Sequence, residues 1–273
     1  MAERLRAIAC HYVADERTII STEGFLRRVE DNLAATNTVN QMKLASCSLL
    51  IVGGAANSAD NAVCVRIAEE ATLRQTLLRF TVRGLGRGDG SPAAMLSSAA
   101  AETRAAVVFQ KLTVRSALVG VCARDVDALS DADLQALVDR GVSPEKHDHY
   151  AESVILTLQN CCRCRTSLLH RLIGMSLPLA LAKLLASDAG FHENTRARAA
   201  MCIQIMMEAA RMHGPPLESW ARPIIKPLRA AYVHSASVAA RGMSPVAVGL
   251  ALRALSTNRA LVRSRAGIVC ADV

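Results

Sequence analysis

The chain has 273 residues, 51% of them apolar but only 3% aromatic, and a net charge of +8. This length suggests one large or two modest domains. The shortage of aromatic residues disfavours an all-β fold, whereas a sequence rich in Ala and Leu favours closely packed helices.

The cysteines and the N-terminus bear on the cellular compartment. Nine cysteines is an odd number, and most stand singly in apolar segments. This pattern is typical of reduced, buried thiols and argues against a secreted disulfide framework. Residues 1–20 carry three acidic residues and lack the apolar core of a signal peptide. No apolar run reaches the roughly 20 residues that a membrane helix needs. We therefore expect a cytoplasmic protein without membrane contacts.

Helical periodicity runs through the first half of the chain. Residues 1–20 are predicted to form a helical N-terminal arm. The next predicted helices are one capped by Thr22, one over Met42–Val52 that ends at Gly53 and Gly54, and one over 60–80 with Arg66, Arg74 and Arg79 pointing outward. Ser91 and Pro92 then open a helix that is expected to end near Gly120.

The second half continues in the same way. Ser130 is predicted to cap a short helix that stops at Gly141. Ser143 and Pro144 should open a long helix through Leu172, which Pro178 kinks or breaks. Later helices are predicted over Leu179–Leu185 and over Thr195–Met212 with Asn194 as the cap. Pro223 and Pro227 are expected to interrupt the chain before a helix over Leu228–Arg241, and a last helix is predicted after Ser244–Pro245.

These elements predict an all-α protein of about ten helices in two lobes. The acidic region near residues 125–134 is the best candidate for the boundary. The predicted divisions are an N-terminal arm over 1–20, lobes over 21–124 and 125–256, and a C-terminal arm over 257–273.

Four glycines alternate in the loop from Gly84 to Gly90. The loop lacks the third glycine of a dinucleotide fingerprint, because Asp89 stands there, and no Gly-Lys-Ser/Thr follows as in a P-loop. Flexible backbone between arginines and before a helix start can contact phosphate. An exposed loop without a ligand explains the pattern equally well.

Basic residues cluster near several predicted helix starts. Distributed Lys and Arg with few aromatics between them suit sequence-independent phosphate binding better than base stacking. A solvated basic surface remains the alternative for individual residues. The candidate RNA-binding residues are Arg79, Arg83, Arg87, Arg104, Lys111, Arg115, Arg163, Arg165, Arg196 and Arg198.

Cys161, Cys162 and Cys164 contain one Cys-x-x-Cys pair. A zinc site needs four ligands, and no second pair follows at a suitable spacing. A redox pair usually follows a strand, and none is predicted here. We therefore predict packing thiols, with no metal or other cofactor. No motif indicates a catalytic centre, so we do not expect an enzyme.

The stretch Gly174-Met175-Ser176-Leu177-Pro178-Leu179 resembles a Gly-x-Ser-Leu-Pro-Leu stretch of nucleoproteins from bunyavirus-like, segmented negative-strand RNA viruses. This resemblance implies two helical lobes that clamp single-stranded RNA, and terminal arms that join neighbouring subunits. It also implies a place in the virion, if the chain is viral.

Together these observations predict a self-associating nucleoprotein that encapsidates single-stranded RNA through its phosphate backbone. The alternative is an all-helical structural or adaptor module that binds protein and no nucleic acid. Its support is the methionine-rich faces, such as Met201, Met206 and Met207, and the scarcity of aromatics.

Overall fold

The computed structural model describes residues 25–237 except 35–37, 58–60, 85–91, 145, 147, 187–190 and 214, together with residue 249. Within these residues the fold is all-α, without a strand. The helices are α1 (Phe25–Ala34), α2 (Val39–Asn57), α3 (Asn61–Glu69), α4 (Ala71–Arg83), α5 (Pro92–Val114), α6 (Val119–Asp127), α7 (Asp131–Gly141), α8 (Asp148–Cys164), α9 (Thr166–Gly174), α10 (Leu177–Ala186), α11 (Glu193–His213), α12 (Leu217–Trp220) and α13 (Arg222–Ser237).

The chain divides into two units, Met1–Leu137 and Val138–Val273. The boundary predicted at residues 124 and 125 lies before this division, which falls inside α7. The predicted arms over 1–20 and 257–273, and the helix expected after Ser244 and Pro245, lie outside the described residues.

In the first unit α5 packs against α2, α4 and α6. Arg104 Nη1 donates to the main-chain oxygen of Ser46 over 3.2 Å, and Lys111 Nζ donates to that of Gly53 over 3.1 Å. Because both contacts advance by seven residues along each helix, α2 and α5 run parallel. Small residues let them approach, since Ala101, Ala105 and Ala106 are all buried. This is the close packing that the aromatic-poor composition predicts.

Gly53 lies within α2, so the predicted helix end at Gly53 and Gly54 is wrong. A Cβ atom at Gly53 would lie 3.4 Å from Val108 Cγ2, an ordinary contact distance. The continued helix places the main-chain oxygen of Gly53 within reach of Lys111. Packing against α5 thus stabilises a glycine pair that would weaken an isolated helix.

Two predicted helices are each interrupted. The helix expected over 60–80 is broken at Glu70, whose ψ is 87°. The long helix expected after Ser143 begins only at Asp148 and is broken at Arg165, with φ −140° and ψ 110°. A single residue with extended ψ ends one helix, and its main-chain oxygen accepts the first bond of the next. That bond comes from Arg74 N in α4 and from Leu169 N in α9.

Arg74, which follows the first of these breaks, was predicted to point outward, and this prediction is wrong. Arg74 is buried, and its guanidinium donates to the carboxylate of Asp125 and to the main-chain oxygen of Ala68. A buried guanidinium needs such partners, because an unpaired charge in the interior costs several kcal/mol.

In the second unit α8 packs against α11 and α9, and α10 packs against α13 and α11. Asp148, the first residue of α8, links the starts of two helices. Its Oδ1 accepts from the backbone N–H of His192 over 3.0 Å and from Thr195 Oγ1 over 3.2 Å. Asn194, predicted as the cap of α11, lies inside that helix, which begins at Glu193.

The break before Pro178 is confirmed. The helix α9 ends at Gly174, Ser176 has a φ of 59°, and Pro178 lies in the first turn of α10. Proline fits a first turn because the N–H that it lacks has no intrahelical partner there. By length and composition alone, no single described helix could cross a membrane, although Thr166–Gly174 and Leu177–Leu185 pass that test as a pair bent by 63°.

Candidate nucleic-acid interface

The net charge of the chain lies entirely in its second unit. Residues 1–137 contain fifteen Lys and Arg and fifteen Asp and Glu, whereas residues 138–273 contain seventeen and nine. The first unit is therefore neutral, and the second carries the whole charge of +8. A polyanion would be attracted to the second unit.

Within that unit α13 presents three basic side chains on one face. Arg222, Lys226 and Arg229 stand at positions i, i+4 and i+7 of the helix, within about 60° around its axis. Ile224 and Leu228 lie on the opposite, buried face. Arg222 and Lys226 are exposed and Arg229 is half-buried. We refer to these three residues as the α13 basic face.

The α13 basic face has no ion-pair partner among the described residues. Its three charges span about 10 Å along the helix axis. Unpaired cations lose none of their own salt bridges when they bind an anion, so their full charge can act on a polyanion.

Sequence reasoning missed this face because it expected Pro223 and Pro227 to interrupt the chain and a helix to begin only at Leu228. The structure has one helix from Arg222 to Ser237 that includes Pro227. Pro223 lies in the first turn, and Pro227 removes one hydrogen bond close to the helix start. The spacing Arg-x-x-x-Lys-x-x-Arg was the signal available in the sequence.

Arg79 and Arg83, both predicted to bind RNA, lie near the end of α4 and are exposed. The Arg79 guanidinium lies 5.6 Å from the centre of the Phe80 ring. Arg83 donates from Nε and Nη2 to the two carboxylate oxygens of Asp133, each over 3.0 Å. This hydrogen bonding raises the pKa of Arg83 and lowers that of Asp133.

Both arginines line a cavity of about 350 Å³. Asp125 and Asp133 line the same cavity. The carboxylates offset the arginine charge there, so this cavity is a weak attractor for phosphate.

The predicted residues Arg104 and Lys111 face α2. Besides the contacts to main-chain oxygens described above, the Arg104 guanidinium also donates to the hydroxyl of Ser46. Arg115 follows α5 in the turn before α6, and Arg87 lies outside the described residues. Arg104 and Lys111 thus help to pack the first unit.

Four predicted residues belong to the second unit and fall into two places. Arg163 is exposed at the end of α8, and Arg165 is half-buried at the break before α9. Arg196 and Arg198 lie in the first turns of α11, where Arg198 Nε donates to Glu152 Oε1 over 3.3 Å. Because Glu152 lies near the start of α8 and Arg163 near its end, the structure does not bring the two pairs together.

The cysteines of α8 differ in their exposure to solvent. Cys161 and Cys162 are buried, whereas Cys164 is exposed. Burial raises the pKa of the Cys162 thiol to about 12, which keeps it protonated. No cluster of three metal-ligating side chains occurs among the residues searched, which are those that the structure describes.

Comparison of the chain with protein-family models, with curated proteins and with solved structures finds no match.

Proposed function

We propose that this protein binds single-stranded RNA through the phosphate backbone, independently of base sequence, and that the second unit makes the main contacts. The observation that carries the proposal is the α13 basic face, which lies in the unit that holds the whole net charge. Arg163, exposed at the end of α8, is a further candidate contact in this unit.

The surface chemistry supports backbone binding over base recognition. The exposed large apolar side chains in the described residues are aliphatic or methionine, and none is aromatic. Stacking of bases needs aromatic rings, whereas guanidinium and ammonium groups contact phosphate whatever the base. The choice of RNA rests on the resemblance at Gly174–Leu179.

The decisive experiment compares two triple variants in fluorescence-anisotropy titrations with a single-stranded RNA at several salt concentrations. Replacing Arg222, Lys226 and Arg229 with Gln should weaken binding and reduce the salt slope by about two, because each phosphate contact on a single strand contributes about 0.7. The matched control replaces Arg27, Lys43 and Arg124, three exposed cations of the neutral unit.

The control removes the same net charge, so it separates a local site from general attraction. Its affinity should remain within about threefold of the unmodified chain. The proposal fails if RNA affinity does not fall as salt rises, or if both triple variants lose affinity equally.

Self-association is the second part of the proposal. Its support is the predicted terminal arms, residues 1–20 and 257–273, and the resemblance to nucleoproteins that assemble through such arms. Deleting either arm should shift the light-scattering mass toward that of a monomer. An unchanged mass for both deletions would contradict arm-mediated assembly.

An adaptor function in protein binding is the second candidate. Met95 and Leu96, neighbours near the start of α5, are 56% and 74% exposed. Adjacent exposed apolar residues favour contact with another protein. If the protein binds RNA as proposed, replacing both residues with Ser should leave RNA binding unchanged. If it is an adaptor, the same substitutions should abolish binding of its protein partner. An adaptor would also copurify without nucleic acid.

A further inference from the structure

The solvent-facing positions of α5 in the first unit carry no charge. Only Glu102, Arg104 and Lys111 are charged among the residues of Pro92–Val114. Glu102 is buried, and Arg104 and Lys111 donate hydrogen bonds to main-chain oxygens of α2. Uncharged residues occupy the positions of the helix that face solvent most directly.

These positions follow one another at alternating intervals of four and three residues. Residues with this spacing lie within an arc of about 80° around the helix axis and extend over about 27 Å along it. The same alternation is the one with which two helices pack along a shared seam. We refer to the six residues as the α5 outer face: Leu96, Ala100, Thr103, Val107, Gln110 and Val114.

The α5 outer face exposes large apolar side chains at both ends. Leu96 is 74% exposed and Val114 is 61% exposed. Ala100 is exposed as well, and the three remaining residues are half-buried. The hydroxyl of Thr103 donates to the main-chain oxygen of Ala99 over 2.9 Å, so it keeps its partner when the face is covered. Covering the face therefore removes apolar surface from water without stranding this polar group.

The α5 outer face is complementary to itself when two copies run antiparallel. Its positions are symmetric about residue 105, so a twofold axis there places Leu96 opposite Val114 of the partner subunit. Ala100 then lies opposite Gln110 of the partner subunit, and the small alanine leaves the amide room to reach solvent. Antiparallel helices also bring the positive N-terminus of each α5 near the negative C-terminus of the other.

Charge and area favour the same occupant. A charged side chain of a different protein would lose its hydration against this face without gaining an ion pair, whereas the same face of a second copy is uncharged. Two faces about 27 Å long and about 10 Å wide bury roughly 600–800 Å² in total. A stable dimer buries about 1,200 Å² or more, so the area fits a weak dimer.

We infer that the α5 outer face is a homodimer interface, across which α5 packs antiparallel to α5 of a second copy in a weak, readily reversible dimer. The interface uses neither the α13 basic face nor the predicted terminal arms. The inference therefore does not rest on the proposed RNA binding or on arm-mediated assembly. Its occupant is a copy of this chain, in contrast to the unrelated protein partner of an adaptor.

Sedimentation velocity of the ribonuclease-treated full chain, over about 5–300 µM, would measure this association. Leu96→Glu and Val114→Lys change exposed positions, so the fold should tolerate both. Each should raise the dissociation constant at least about tenfold, because the dimer would bury two unpaired charges. The matched control is Met212→Glu, at a position of the second unit that is 72% exposed. Its dissociation constant should stay within about twofold.

The double variant Leu96→Glu with Val114→Lys tests the antiparallel register. Each introduced carboxylate then lies opposite an introduced ammonium of the other copy, so the double variant should recover most of the affinity that each single variant loses. In a parallel pair like charges would meet, and the double variant would be weaker than either single one. The inference is overturned if the double variant shows no recovery, or if Met212→Glu loses as much affinity as Leu96→Glu. An association unchanged by Leu96→Glu also overturns it and would indicate that another segment or another protein covers the face.

Discussion

Arg83 and Asp133 form a bidentate ion pair, with Nε bonded to Oδ1 and Nη2 bonded to Oδ2, each over 3.0 Å. Asp133 also belongs to the cap of α7, because its backbone N–H donates to Ser130 Oγ over 3.1 Å. The cap predicted at Ser130 is therefore present, and the same carboxylate engages one of the arginines predicted to bind RNA. A phosphate that used the same Nε and Nη2 donors would have to displace Asp133.

The first prediction concerns acid sensitivity. The pKa of Asp133 is lowered, chiefly by the Arg83 hydrogen bond and then by Ser130. A lowered folded-state pKa stabilises the fold above the unfolded value of about 4, and this contribution is lost as pH falls through the folded value. Asp133→Asn should therefore reduce the melting temperature slightly near pH 7 and not at about pH 2. A difference that persists unchanged in acid would contradict this assignment.

The second prediction concerns close packing between α7 and α8. A Cβ atom at Gly141 would lie 2.6 Å from Val154 Cγ1 and 3.2 Å from Val154 Cβ. Gly141→Ala should destabilise the protein by about 1–3 kcal/mol in urea unfolding, because the neighbour must move. Val154→Ala in the same chain should remove most of that penalty.

Gly120 provides the matched control for this substitution. It lies inside α6, and a Cβ atom there would have no neighbour within 4 Å. Gly120→Ala should stabilise the protein by about 0.5–1 kcal/mol, as alanine normally does in a helix. Equal effects of the two substitutions would show that packing against Val154 is not what requires glycine at position 141.

Sequence reasoning predicted the all-α class and some of the helix ends that carry local signals, but not those expected at Gly53, Ser143 and Asn194. Pro92, Ser130 and Gly141 each mark a boundary through chemistry confined to one turn. The breaks at Glu70 and Arg165 were missed because the helical pattern continues across them, and only the backbone angles reveal them. Boundaries of this kind depend on tertiary packing, which a propensity cannot report.

The residues of the candidate site were likewise predicted only in part from the sequence. Arg104 and Lys111 carry charges that fit phosphate binding, yet main-chain oxygens of α2 accept hydrogen bonds from both. These contacts join residues 58 positions apart, so no local pattern predicts them. The α13 basic face was missed for a local reason, because Pro227 was expected to prevent a helix before Leu228. The helix instead continues through Pro227, with Ile224 and Leu228 on its buried face.

The third prediction concerns the break between α9 and α10. Ser176 has a φ of 59°, in the left-handed region that costs a non-glycine residue about 1–2 kcal/mol. Ser176→Gly should stabilise the protein by up to about 1 kcal/mol, because relief of this cost exceeds the added entropy of the unfolded chain. Ser116→Gly, at an exposed turn position without positive φ, should be neutral or destabilising. A loss of stability in Ser176→Gly would contradict the strained conformation.

The fourth prediction concerns thiol reactivity. Burial raises the pKa values of Cys122 and Cys162 to about 12, and it raises the pKa of Cys202 as well. Because the thiolate is the nucleophile, only about one buried thiol in ten thousand would be reactive at about pH 8. Cys164 is exposed. A short pulse of iodoacetamide on the folded protein, followed by peptide mass spectrometry, should label Cys164 and leave Cys122, Cys162 and Cys202 unmodified, whereas unfolding in urea should make these four cysteines reactive. Rapid labelling of Cys122 or Cys162 in the folded chain would show that α6 or α8 opens on the timescale of the pulse.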